Sequence, residues 1–118
     1  MPKSMPDAPT LLKAAIAYLE DELMPTLDSY HRFKTRVTAN VLSTLKRELE
    51  LRDAQANGER ARLAKILGHD GDVEALSHEL SDRIRTGTIA IDDPTLRAHV
   101  RQSLADALTI NNPKWLTR

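Results

Sequence analysis

Phe33-Lys34-Thr35-Arg36-Val37-Thr38-Ala39-Asn40-Val41-Leu42-Ser43-Thr44-Leu45-Lys46-Arg47-Glu48-Leu49 is the stretch that decides the fold. Phe33, Val37, Val41, Leu45 and Leu49 recur at every fourth position, the spacing that stacks side chains along one side of an α-helix. Leu42 and Leu51 lie beside that series. Taken from Asp28 to Gln55, the segment makes a helix of about 40 Å at 1.5 Å per residue. A four-residue step drifts around a helix of 3.6 residues per turn, so a helix this long is expected to meet several neighbours or to curve around them.

The flanking chain is punctuated for further helices. Upstream, Pro9–Met24 carries Leu12, Ile16, Leu19 and Leu23 at helical spacing, widened by Leu11, Ala15 and Tyr18. Asp7 is placed to cap it, Pro9 suits its first turn, and Pro25 disfavours helix at Met24. Downstream, Gly58 sets off a short segment, Glu59–Leu67, with Leu63, Ile66 and Leu67 apolar and Gly68 as its stop. Asp72 then caps a helix reaching Gly87, with Val73, Leu76, Leu80 and Ile84 as its buried stripe. Thr88-Ile89-Ala90-Ile91 reads as an extended connection whose two isoleucines plug the core. Asp93 as cap and Pro94 at the first position open a last helix with Leu96, Val100, Leu104 and Leu108 on one face, ending near Ile110. Asn112-Pro113 prevents continuation, and Trp115 and Leu116 offer a final apolar contact.

Each helix has one apolar face and the joins are short, which is the pattern of an all-α, antiparallel helical bundle of four to five helices with one long central helix. Residues 1–8 read as a flexible N-terminal segment and 9–118 as one helical-bundle domain. Composition agrees. Aromatics make up only 3% of the 118 residues (Tyr18, Tyr30, Phe33 and Trp115), so the core must be built from Leu, Val, Ile and Ala.

Charge and composition narrow the function classes. Lys plus Arg, 17, balances Asp plus Glu, 17, which leaves no bulk field for a phosphate backbone. Arg60-Ala61-Arg62, the glycine turn and the next helix imitate a helix-turn-helix. That helix, however, would present Asp72, Glu74, Glu79 and Asp82 to the phosphates, so no nucleic-acid partner is expected. The chain has no cysteine, hence no disulfide framework and no thiolate site, which fits a reducing, cytoplasmic setting. Met1–Thr10 holds Pro2, Pro6 and Pro9 and no apolar run, unlike a secretory signal. No stretch of about 18 apolar residues exists to span a membrane.

Asn40 stands close to the Val37–Val41 face. Burying an amide without partners costs about 1–3 kcal/mol, so it meets a partner inside the bundle, faces a cavity or lies at a subunit interface. Arg32, Arg36 and Asn40 form a row at four-residue spacing. Such a row either grips a carboxylate or phosphate through bidentate bonds or is a solvated face paired with Glu20, Asp21 and Glu22. Glu74, His78 and Asp82 share a helix face, but three collinear groups do not surround an ion. Asp28 and His31 have the spacing of a carboxylate-bridged site, yet no matching second pair exists. No metal site is therefore expected. His69-Asp70-Gly71-Asp72 is too short for a calcium loop and reads as a turn. His99, beside Leu96 and Val100, reads as a boundary residue rather than a base. There is no nucleophile elbow, phosphate-cradling glycine loop or Cys–His pair, so neither a catalytic residue nor a cofactor is expected.

Several patterns carry a resemblance: Phe33-x-x-Arg36-Val37-x-Ala39-Asn40 with Arg47-Glu48-Leu49, then Leu76-x-x-Glu79-Leu80-x-x-Arg83-Ile84-Arg85-x-Gly87, and the closing Asn112-Pro113-x-Trp115-Leu116. Together, from about Thr10 onward, they resemble a bacterial domain family of unknown function. Its members are stand-alone proteins or C-terminal attachments to aminoglycoside-phosphotransferase-like kinases, and tend to be encoded among acyl-CoA dehydrogenase genes. Thr38 and Trp115 stand where alanine and tyrosine are more usual. The family has no agreed catalytic residue. The resemblance implies a helper module for a kinase-like or acyl-CoA-handling enzyme, and draws attention to Arg36, Asn40, Arg47, Glu48 and Arg83 as ligand-binding candidates.

Three readings follow. The first is a non-catalytic interaction module docking on such an enzyme through an exposed apolar patch, with Leu42, Leu51 and Leu116 as candidates because they lie off the main stripes. The second is a small-ligand site for an anionic, phosphate or acyl-CoA-linked compound, framed by Arg36, Asn40 and Arg83. The third is a homodimer built on the long helix.

Overall fold

A computed structural model describes residues 6–117. Residues 1–5, most of the segment expected to be flexible, lie outside the described residues. Among the described residues every regular element is helical, with no strand. It forms α1 (Ala8–Ala17), α2 (Ser29–Leu67), α3 (Val73–Arg85) and α4 (Pro94–Asn111). A π-helical stretch, Tyr18–Leu23, and a 3-10 turn, Met24–Thr26, follow α1, and a second 3-10 segment, Pro113–Thr117, closes the chain.

The caps sit where the side-chain chemistry puts them. Asp7 accepts from Thr10 N at 2.9 Å, Asp28 from His31 N at 2.9 Å, Asp72 from Ala75 N at 3.4 Å and Asp93 from Leu96 N at 2.9 Å. Each satisfies one of the N–H groups that a helix leaves orphaned at its start. α1 loosens into the π-helical stretch, where Met24 N–H bonds Leu19 O. Pro25 then stops the run, and Arg32 ties off its end by donating to Met24 O (3.3 Å) and Leu27 O (2.9 Å). Gly68 and Gly87 end α2 and α3 with φ of +83° and +80°, values that an L side chain resists.

Gly58 does not break the chain. α2 runs unbroken for 39 residues, about 58 Å, through the site expected to separate two helices. A glycine inside a helix costs only about 1 kcal/mol relative to alanine, and the helix formers on both sides outweigh that.

The chain divides into two compact units. The first comprises the described residues up to Leu51 with Ile110–Asn112; the second comprises Arg52–Thr109 and the residues from Pro113. In the first, Leu12, Ile16, Leu19 and Leu23 are half-buried, as their spacing indicates, and Ala39 of α2 is fully buried. In the second, Leu63 and Leu67 of α2, Leu76 and Leu80 of α3 and Leu96 of α4 make a buried leucine cluster, with Ile66, Val73, Ile84 and Ile89 against it. Ile89 N–H bonds Arg83 O at 3.1 Å, which folds the connection over the end of α3. Ile89 therefore reaches the core, whereas Ile91, expected to join it, is 79% exposed.

Candidate functional site

In the first unit, the apolar series that announces α2 is not its buried side. Phe33, Val37, Val41 and Leu45 are 60%, 44%, 62% and 42% exposed. Thr35, Ala39, Leu42, Lys46 and Leu49, the last member of that series, form a covered row of small and mixed residues on a different side of the helix. Leu42 and Leu51, expected to be the exposed patch, are half-buried, while Leu116 is exposed. The reason is that α2 carries apolar residues on two sides, and the smaller side chains permit the closer approach.

The candidate ligand residues of this unit have different duties. Asn40 is exposed, so it is not the buried amide expected, and its backbone carbonyl accepts from Thr44 Oγ1 at 3.1 Å. Arg36 is exposed beside it, and Arg32 is spent on Met24 O and Leu27 O rather than on Glu20, Asp21 or Glu22. Arg47 is half-buried. Its Nε donates to Ile110 O at 2.8 Å and its Nη2 to Thr44 Oγ1 at 3.2 Å. It thus satisfies a carbonyl in the last turn of α4, which has no partner within its own helix. Glu48, next to it, is exposed.

In the second unit, a polar cluster that sequence reading missed joins α2 to α4. Arg62 donates from Nε to His99 Nδ1 (3.1 Å) and from Nη2 to Ser103 Oγ (3.2 Å), and stands 3.8 Å from Asp106 Oδ2. Gln55 Nε2 donates to Asp106 O at 3.0 Å. His99 is only 8% exposed, buried rather than at the boundary. Burial, reinforced by the Arg62 charge, holds its pKa below the ordinary histidine value. An arginine only donates, so His99 Nδ1 must accept, and the ring is the neutral tautomer with its proton on Nε2. The lone pair a general base would use is occupied. A cavity of about 280 Å³ lies beside the cluster, bounded by Arg62, Ile66, Thr95 and His99.

Because the side of α4 bearing Leu96, His99 and Ser103 faces α2, the expected stripe is turned outward in part. Val100 and Leu104 are 47% and 62% exposed. With Ile84, Ile91, Leu96, Arg97 and Arg101 they line an open groove of about 520 Å³.

Arg83, the remaining candidate, is committed to Glu79 at 2.6 Å. The same carboxylate accepts from His69 Nε2 at 2.8 Å. That hydrogen bond raises the His69 pKa and lowers that of Glu79. Arg60 pairs with Asp70 through two bonds of 2.9 and 2.8 Å. The turn at His69–Asp72 is therefore an ion-paired corner. Glu74, His78 and Asp82 line one exposed face of α3, with Asp82 paired to Arg85 at 2.9 Å. Among the described residues no group of three or more His, Asp or Glu side chains is placed to hold a metal ion. No helix among them is long and apolar enough to cross a membrane.

A family model described as "Domain of unknown function (DUF6285)" matches residues 25–115, and the chain belongs to that family. No curated protein and no solved structure matches the chain.

Proposed function

We propose that this member of the DUF6285 family is a non-catalytic helical interaction module of the bacterial cytoplasm, an antiparallel bundle that docks on a larger kinase-like or acyl-CoA-handling enzyme. The observation that carries the reading is the exposed Phe33–Val37–Val41–Leu45 row of α2. Four large apolar side chains in register along about 18 Å of helix form the kind of surface that protein partners cover. The enzyme class rests on the family resemblance of the surrounding residues. The absence of catalysis is supported by the His99 lone pair being spent on Arg62.

The anionic-ligand reading has less support. Of its framing residues, Arg83 is held by Glu79 and Asn40 is an exposed surface amide. Arg47, also among the candidates, is held by Ile110 O. The homodimer reading uses the same α2 row and differs only in the occupant.

The test is affinity capture of the tagged chain from its native lysate, with stoichiometry read by mass spectrometry. Near-stoichiometric recovery of a kinase-like or acyl-CoA dehydrogenase enzyme through a salt wash supports the reading. Recovery of the bait alone, or of the bait as a stable dimer, contradicts it.

A further inference from the structure

The groove on the second unit has a chemistry of its own. Its walls are Ile84 at the end of α3, Ile91 of the connection, and Val100 and Leu104 of α4, with Arg97 and Arg101 along the α4 rim. Among the described residues, none that lines it is acidic. Arg97 and Arg101 are one helical turn apart, both exposed, and neither side chain has a hydrogen-bond or ion-pair partner among the described residues. Like charges at this spacing repel by a few tenths of a kcal/mol. Elsewhere in this unit Arg60, Arg62, Arg83 and Arg85 all have acidic neighbours. Among the described residues these two arginines, without such a partner, stand out beside the apolar groove they border.

We propose that this groove docks an amphipathic helix from a protein partner that carries acidic side chains along one flank. The wall residues are too exposed to enclose a small molecule, which normally buries 70–90% of its surface in its site. A helix about 10 Å across covers such a groove, laying apolar side chains on Ile91, Val100 and Leu104. Carboxylates on its flank then meet Arg97 and Arg101 in the bidentate geometry arginine favours. The groove shares no residue with the α2 row, and the proposal does not depend on that row.

Two synthetic, fluorescein-labelled 18-residue helical peptides test this. Both carry the same leucine row; one has glutamates along one flank and the other lysines. In fluorescence anisotropy the full chain is expected to bind the glutamate peptide at least tenfold more tightly than the lysine peptide, with the gap narrowing as salt rises. Arg97→Glu/Arg101→Glu is expected to invert the preference, and Leu104→Ser to weaken both peptides. Val37→Asp/Val41→Asp is expected to change neither, which separates this proposal from the α2 reading. Circular dichroism confirms that each variant is folded. Equal affinity for both peptides, no binding of the glutamate peptide at millimolar concentration, or an unchanged preference in the double charge reversal would overturn the proposal. So would a chain dimer that this reversal dissociates, since the occupant would then be a second copy.

Discussion

Arg62 Nε lies 3.1 Å from His99 Nδ1, and this bond gives a buried histidine its hydrogen-bond partner. The guanidinium has no lone pair and does not give up its proton, so the imidazole accepts and stays neutral. The same arginine also holds Ser103 and faces Asp106. A triad-like set of residue types is thereby arranged as a clamp between α2 and α4.

Removing the clamp leaves His99 Nδ1 and Ser103 Oγ without their donor. Arg62→Met is expected to cost about 1–3 kcal/mol, read as a lower urea midpoint at unchanged m-value. Stability equal to wild type would show that the cluster contributes nothing net.

The two shifted histidines act on opposite sides of the ordinary histidine value. His99 has a depressed pKa in the folded state, so the unfolded chain takes up its proton first as pH falls. Its contribution is complete above the ordinary histidine value of about 6.5 and is lost as pH falls through the folded value. His69 has a raised pKa, chiefly from its bond to Glu79. Its contribution is complete below about 6.5 and is lost as pH rises through the folded value. Melting temperatures from pH 5 to 9 are expected to show a shallower acid limb for His99→Gln and a shallower alkaline limb for His69→Gln. Curves parallel to wild type would refute these assignments.

Two glycines distinguish a continuous α2 from a broken one. A Cβ at Gly58 meets only Arg62 Nη1, at 3.5 Å, an ordinary contact. Gly58→Ala is therefore expected to stabilise by up to about 1 kcal/mol. Gly68 has a φ of +83°, so Gly68→Ala is expected to destabilise by about 1 kcal/mol although nothing crowds the site. Destabilisation by Gly58→Ala in thermal melts would argue for a break there.

Much of this architecture was legible in the residues because it is local chemistry. Asp7, Asp72 and Asp93 mark helix starts by hydrogen-bonding within their own first turns, and Pro25, Gly68 and Gly87 mark ends through backbone sterics. Which side of α2 is covered was not legible, because Phe33–Leu45 and Thr35–Leu49 are competing rows and tertiary packing chooses between them. The Arg62–His99 pair was hidden for a similar reason. Its members are 37 positions apart, and the i+4 stripe Leu96–Val100–Leu104 masked the side of α4 that packs inward. Of the candidate site, Arg36 and Asn40 are surface neighbours, whereas the ties of Arg47 and Arg83 depend on a carbonyl and a carboxylate that spacing does not reveal.

The two rows of α2 respond differently to substitution. Val41→Asp, on the exposed row, is expected to change stability by no more than about 0.5 kcal/mol. Ala39→Leu forces extra volume into a fully buried position and is expected to cost about 1–3 kcal/mol. Chemical denaturation of both variants checks the assignment, and the reverse order of effects would mean that the faces are exchanged.

The most direct test of the interaction-module account is paired affinity capture from native lysate with wild type and Val37→Asp/Val41→Asp, both first shown to melt at the same temperature. Wild type is expected to recover a near-stoichiometric kinase-like or acyl-CoA-handling enzyme, and the double variant to lose it. Equal recovery of that enzyme by both baits, or its absence from both, would contradict this expectation.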